Sequence, residues 1–125
     1  MNQDYNNIKK IEASIGGYFG SSYKFKADLV NGHISWSTEG EYFEPPIILN
    51  MDAEGITLVR NGLRECNILS WDKEYIDHHI LDGTQWSLEI QLSEKSIHIN
   101  GSNAYPPEWK KFCEVVRKLS GKPFD

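Results

Sequence analysis

Between Gln85 and Leu92 the chain alternates without a slip, with Trp86, Leu88, Ile90 and Leu92 on one side and Ser87, Glu89 and Gln91 on the other. Successive side chains of an extended strand point to opposite faces, so this stretch buries one face only. Ser93-Glu94-Lys95 makes a polar turn, and Ile97 and Ile99 then alternate with His98 and Asn100 in a returning strand. Trp109, Phe112, Cys113, Val116 and Leu119 follow at helical spacing, with Lys110, Lys111, Glu114, Arg117 and Lys118 on the other side. Pro107-Glu108 suits a first helical turn, and Gly121 followed by Pro123 suits a stop. A strand–strand–helix unit thus runs from Leu81 to Leu119, entered through a Leu81-Asp82-Gly83 turn. A sheet with one apolar face and an amphipathic helix to cover it points to an α+β fold.

The first half repeats the theme more loosely. Ile11, Ala13 and Ile15 alternate with Lys10, Glu12 and Ser14, which fits a half-buried strand over Ile8 to Ile15, with a short helix over Tyr5 to Ser14 as the competing reading. Gly16-Gly17-Tyr18-Phe19-Gly20 breaks that pattern as a tight turn or bulge. Ser22 to Val30 alternates again, Asn31-Gly32 signals a two-residue hairpin turn, and His33 to Ser37 returns. Thr38 to Asn50 reads as irregular around Pro45-Pro46, with Ile47-Ile48-Leu49 as a short edge strand. Asp52 caps a helix predicted over Ala53 to Cys66, whose stripe is Ile56, Val59, Leu63 and Cys66. Asn67 to Ile80 reads as a structured connector. The expected architecture is an antiparallel sheet of about five strands in the order β-β-β-α-β-β-α, with two helices packed on one face.

A chain of 125 residues buries roughly two-thirds of its unfolded surface, so residues 1–125 read as one domain that needs neither metal nor disulfide to fold. Cys66 and Cys113 both fall in apolar helical patterns and read as buried thiols rather than a bridge. Met1-Asn2-Gln3-Asp4 lacks a basic region followed by an apolar stretch, and the longest apolar run is Ile47-Ile48-Leu49. The expectation is a cytoplasmic protein without a membrane segment. A net charge of −5 argues against a nucleic-acid partner, which requires a positive footprint. The charge is uneven: Glu39 to Asp82 holds ten acidic and three basic residues. Glu39, Glu41, Glu44, Asp72, Glu74 and Asp77 are candidates for an acidic surface that meets a basic protein.

Catalytic patterns are missing from the sequence. The Gly-x-Ser-x-Gly elbow and the phosphate-binding loop are absent, and both cysteines sit on presumed core faces. His78-His79, between Asp77 and Asp82, is the one cluster with metal-ligand chemistry, but adjacent residues in an extended segment diverge. No metal and no cofactor are expected. His33 and His98 lie opposite the apolar sets of their strands. Asn100-Gly101-Ser102 matches a glycosylation acceptor, a coincidence in a chain read as cytoplasmic. Asn103 to Pro107 reads as a junction that clamps the last helix to the sheet, or as a binding loop. Trp71, Tyr75, Asp82, Trp86, Asn103, Tyr105 and Trp109 are the candidate binding residues, because aromatics anchor interfaces as well as cores.

Gly16-Gly17-Tyr18-Phe19-Gly20, Asn31-Gly32, Trp71 with Tyr75, Leu81-Asp82-Gly83-Thr84-Gln85-Trp86-Ser87-Leu88 and Gly101-Ser102-Asn103-Ala104-Tyr105-Pro106 together resemble a group of small uncharacterised bacterial proteins. The resemblance spans nearly the whole chain, and its most specific parts are Leu-Asp-Gly-x-x-Trp and Gly-x-Asn-x-Tyr-Pro. It brings no catalytic motif. The group is similar in size and style to immunity proteins, which neutralise a toxin by binding it, and the resemblance therefore implies a protein partner. Three functional readings follow: an intracellular protein-binding domain of immunity type, a small-molecule binder or enzyme with a pocket between sheet and helices lined by Trp71, Trp86, Tyr105 and Trp109, and a structural subunit that homodimerises through an exposed sheet face. The oligomeric state is monomer or homodimer.

Overall fold

The computed structural model describes residues 5–17, 22–39, 45–77, 79, 83–122 and 124. Its strands are β1 (Lys10–Gly17), β2 (Ser22–Asp28), β3 (His33–Glu39), β4 (Ile47–Asn50), β5 (Glu74–Ile76), β6 (Thr84–Gln91) and β7 (Ser96–Ser102). The helices are α1 (Ala53–Glu65) and α2 (Trp109–Ser120), with a 3₁₀ turn at Ile68–Ser70. All seven strands join one sheet in the order β4-β3-β2-β1-β6-β7-β5.

Alternation accounts for the centre of that sheet. β1 pairs antiparallel with both β2 and β6, so its apolar residues meet apolar partners on each side. Ile11 lies between Ala27 and Ile90, Ala13 between Phe25 and Leu88, and Ile15 between Tyr23 and Trp86. A one-residue slip would turn each of these sets to water. The apolar face is covered by the helices. Val59 and Leu63 of α1, with Cys66 just beyond it, join Trp109, Phe112, Cys113 and Val116 of α2 in one core. Gly62 allows the two helices to approach closely, because a Cβ there would lie 2.8 Å from Val115 Cγ2. That packing is the structural return for a glycine that weakens a helix by about 1 kcal/mol.

The ends of the elements follow local chemistry. Asp52 caps α1, its Oδ1 accepting from the Gly55 N–H at 2.8 Å, and Cys66 stands at the C-cap. Gly121 closes α2 in the left-handed conformation, φ 74°, with its N–H bonded to the Arg117 carbonyl. Arg60 fixes the approach to β1, its Nη1 donating to the Tyr5 and Ile8 carbonyls at 2.6 and 3.1 Å. Phe124 folds back into the core against Trp109 and Phe112.

Several expectations need correction. The sheet is mixed and has seven strands, not about five antiparallel ones. The connector supplies one of the additional strands: Glu74–Ile76 pairs parallel with Asn100–Ser102. β7 therefore continues through Gly101 instead of ending there. Ile47–Asn50 is the edge strand expected of Ile47 to Leu49, paired with β3. β3 itself continues to Glu39, because Thr38 faces the core and is buried. The first hairpin turn is not a two-residue Asn-Gly turn. Asp28 pairs with His33 across a four-residue loop, in which only Gly32 has positive φ, 76°. The Asp28 carboxylate organises that loop, accepting the Val30 and Asn31 backbone N–H groups at 2.9 and 3.0 Å. The last helix begins at Trp109, so Pro107-Glu108 precedes it instead of forming its first turn. Gly16 and Gly17 belong to β1, whereas Tyr18 to Gly20, Leu81-Asp82 and Pro123 lie outside the described residues.

Candidate functional site

The aromatic candidates do converge, but they converge on one another. Trp86 lies opposite Gly101 in the β6–β7 register, and its ring stands 4.6 Å from that of Trp109. Trp71 meets both at 6.2 Å, Tyr75 meets Trp86 at 5.9 Å, and Tyr105 meets Trp109 at 5.3 Å. Their polar groups are engaged internally. Trp71 Nε1 donates to the Cys66 carbonyl and Trp86 Nε1 to the Ala104 carbonyl, each at 2.9 Å. The Tyr75 hydroxyl accepts from the Asp72 N–H at 2.9 Å. Trp71, Trp86 and Trp109 are buried, and the space expected to hold a ligand between sheet and helices is filled here by their rings. Tyr105 alone of the five keeps a large exposed area, 40%.

Asn103 serves the junction. It takes a left-handed φ of 59°, and its Oδ1 accepts from the Thr84 N–H at 2.8 Å. Asp82 lies outside the described residues, as do Glu41, Glu44 and His78.

The four described acidic candidates do not gather into one patch. Glu39 sits on β3, while Asp72, Glu74 and Asp77 sit in or beside β5. Five strand intervals separate β3 from β5, roughly 24 Å along the sheet at the usual inter-strand spacing. Glu39 also has a partner on its own face, Lys24 at 3.5 Å.

The feature that the register creates lies on the opposite side of the sheet. The outward residues of successive strands stack into rows. One row reads Ser37, Lys24, Ser14, Ser87, Asn100, Glu74, and the next reads Ser35, Lys26, Glu12, Glu89, His98. No helix among the described residues covers them, and the face they form is hollowed. One concavity of about 380 Å³ holds Glu12, Ser14, Lys24, Lys26, Glu89 and His98. A second, of about 600 Å³, shares Ser14, Lys24, Ser87 and Asn100 with it and adds Gly16, Ser22, Gln85 and Ser102. A third, of about 190 Å³, lies beside Lys10, Asp28 and His33. Small side chains make the floor. Ser14 and Ser87 bond to each other at 2.7 Å, and a Cβ on Gly16 would lie 2.6 Å from Ser22 Cβ.

The electrostatics of this face are mostly self-contained. Lys10 pairs with Asp28 at 3.9 Å, Lys24 with Glu39 at 3.5 Å, and Lys26 with Glu12 at 3.7 Å. Exposed pairs of this kind contribute little to stability, about 0–1 kcal/mol each. Asp28 is held below the ordinary carboxylate value, first by the Asn31 backbone N–H, against an opposing effect of burial, with the Asn31 side chain, the Val30 N–H and Lys10 adding to it. In the core, burial pushes the Cys66 thiol up to about 12, and Cys66 and Cys113 are both buried and not joined in a disulfide.

Of the sequence candidates among the described residues, only Glu39 and Glu74 belong to this face, at its margins. Ser14, Lys26, Ser87 and Glu89 are not singled out by the sequence because each reads as the wet side of its own strand, and His98 and Asn100 read only as a solvent-facing histidine and a chance glycosylation match. A signal was present nonetheless: Ser14, Gly16, Ser22, Ser87 and Ser102 are short where solvent-facing strand positions commonly carry long charged side chains.

Among the described residues no group of three or more His, Cys, Asp or Glu is placed to hold a metal ion. None of the described helices is long and apolar enough to cross a membrane. No protein-family model matches the chain, and no curated protein matches it.

Proposed function

We propose that this chain is a protein-binding domain without catalytic activity, acting in the cytoplasm through the open face of its sheet. The observation that carries the reading is the hollowed polar face itself, which no helix among the described residues covers and which spans β3, β2, β1, β6 and β7. At usual strand spacing and rise it measures roughly 25 Å by 25 Å, or about 600 Å², close to one partner's share of a standard protein interface. The Ser14 and Ser87 hydroxyls bond to each other and not to a base, which favours recognition over nucleophilic chemistry. The likeness of its motifs to small bacterial proteins of immunity type extends the reading: the partner is a toxin, neutralised when this face covers it.

The test is affinity capture from a lysate of the source organism with the intact chain, Ser87→Arg and Leu58→Arg. Ser87 lies in the middle of the open face, and Leu58 is exposed on α1 away from it. The reading expects a protein held by the intact chain and by Leu58→Arg, and released by Ser87→Arg. Recovery of no partner, or of one indifferent to Ser87→Arg, sinks it.

A second reading has one observation in its favour. β4 is an open edge on which Ile48 is 70% and Leu49 40% exposed, a template for edge-to-edge pairing of two copies. Light scattering that shows a monomer at high concentration removes it.

A further inference from the structure

The chain contains three Asn-Gly pairs, at Asn31-Gly32, Asn61-Gly62 and Asn100-Gly101. Such a pair can modify itself, because glycine has no Cβ to keep its backbone nitrogen away from the preceding asparagine side chain. The reaction also needs freedom, since the glycine nitrogen must leave its hydrogen bond and reach the asparagine Cγ. The fold grants that freedom unequally. Asn61 and Gly62 lie inside α1, where Gly62 is buried against Val115. Asn100 and Gly101 lie inside β7, between β6 and β5, where Gly101 is buried against the Trp86 ring. Asn31 and Gly32 belong to the four-residue loop between β2 and β3, and Asn31 is exposed. The Gly32 N–H is held there by a loop hydrogen bond to the Asp28 carbonyl at 2.9 Å. Opening a surface loop costs far less than breaking a helix or an internal strand.

We infer that Asn31 is a self-modification site, which deamidates in the native protein while Asn61 and Asn100 are protected, and that its products unlatch the β2–β3 loop. The Gly32 nitrogen gives its proton to solvent base and bonds to Asn31 Cγ. The Cγ–Nδ2 bond breaks, and Nδ2 leaves as ammonia with a proton returned from solvent. Water then opens the cyclic imide at Cγ to give aspartate, or at the Asn31 main-chain carbonyl carbon to give isoaspartate. Either cleavage returns a proton to the Gly32 nitrogen. Both products replace the neutral Asn31 amide with a negative charge. That amide donates from Nδ2 to Asp28 Oδ2 at 3.0 Å, and Asp28 also accepts the Val30 and Asn31 backbone N–H groups. In the aspartate product a donor thus becomes a second anion facing the carboxylate that organises the loop. Isoaspartate lengthens the main chain by one methylene just before Gly32, whose carbonyl accepts from the Met51 N–H at 2.7 Å and ties the loop to the approach to α1.

The full chain is aged at mildly alkaline pH, both native and unfolded in urea, and its peptides are mapped by mass spectrometry for the mass gained when an amide becomes an acid and for isoaspartate. In the native protein Asn31 is expected to convert at least about tenfold faster than Asn61 or Asn100. In urea, where the fold protects none of them, the three are expected to converge within about threefold. Asn31→Asp, which is the direct product, is expected to melt roughly 3–6 °C below the parent at neutral pH. Asn31→Ser removes the donor without adding charge and is expected to melt between the two. Absence of native conversion at Asn31 while the unfolded chain converts, or native conversion of Asn61 or Asn100 at a comparable rate, overturns the modification site. An Asn31→Asp protein that melts with the parent or with Asn31→Ser overturns the unlatching.

Discussion

Gly101→Ala tests the aromatic cluster at its tightest point. A Cβ at that position would lie 2.2, 2.4 and 2.7 Å from Trp86 Nε1, Cε2 and Cζ2. Ordinary contact begins near 3.4 Å, so the indole must move by about 1 Å or more. It has nowhere to go: Trp86 is 2% exposed, with Trp109 at 4.6 Å and Tyr75 at 5.9 Å. Overpacking of this kind costs about 1–3 kcal/mol. Displacing the Trp86 N–H from the Ala104 carbonyl leaves a buried donor unpaired, about 1–3 kcal/mol more. The alanine recovers only about 0.4–1 kcal/mol through the unfolded chain. The net is a loss of roughly 2–5 kcal/mol, which for a chain of this size lowers the melting temperature by roughly 6–20 °C. Thermal unfolding followed by tryptophan fluorescence and near-ultraviolet circular dichroism measures it. A double-mutant cycle with Trp86→Leu should recover most of the cost, because the clash is with that ring. A Gly101→Ala protein that melts within a degree or two of the parent, or a cycle with no coupling, refutes the packing argument.

Two further outcomes follow from the described chemistry. The folded value of Asp28 is depressed, so its contribution to stability is complete above the ordinary carboxylate value of 3.8 and is lost as pH falls through the lower folded value. The melting-temperature gap between the parent and Asp28→Asn should therefore narrow as the pH falls below 3.8, and a gap that stays constant or widens in acid contradicts the loop geometry. Cys66 is fully buried with its thiol pushed up to about 12, so it should resist alkylation at pH 8 in the native protein and react once urea unfolds the chain. Mass spectrometry of alkylated peptides reads this directly, and rapid native labelling at Cys66 would be the contrary result.

What could be read from the sequence was whatever a short window fixes. The alternation in β1, β2 and β6, the stripe of Trp109, Phe112, Cys113 and Val116, the Asp52 cap and the Gly121 stop are local consequences of strand and helix geometry. β5 was hidden for the opposite reason. Glu74-Tyr75-Ile76 is too short to show a period, and it is a strand only because β7 extends past Gly101 to receive it. The loop at Asn31-Gly32 is longer than the tight turn that this pair signals, because the Asp28 carboxylate holds the Val30 and Asn31 amides. The candidate site divides in the same way. Trp71, Tyr75, Trp86, Tyr105 and Trp109 lie together, but that proximity does not make them a binding site. The acidic run is continuous along the chain and its described members are divided in space, because β3 and β5 stand five strand intervals apart in the sheet. The rows across the open face depend on which residue of β1 lies opposite which residue of β6, a pairing between segments about 75 residues apart that no window contains.

The central claim is that the partner covers the open face of the sheet. Single cysteines at Ser87→Cys, near the middle of that face, and Leu58→Cys, on the outer side of α1, report on it through the rate of maleimide labelling. With saturating partner, labelling at Ser87→Cys should slow strongly while Leu58→Cys reacts as it does in the free protein. Undiminished labelling at Ser87→Cys in the saturated complex would show that the partner binds elsewhere.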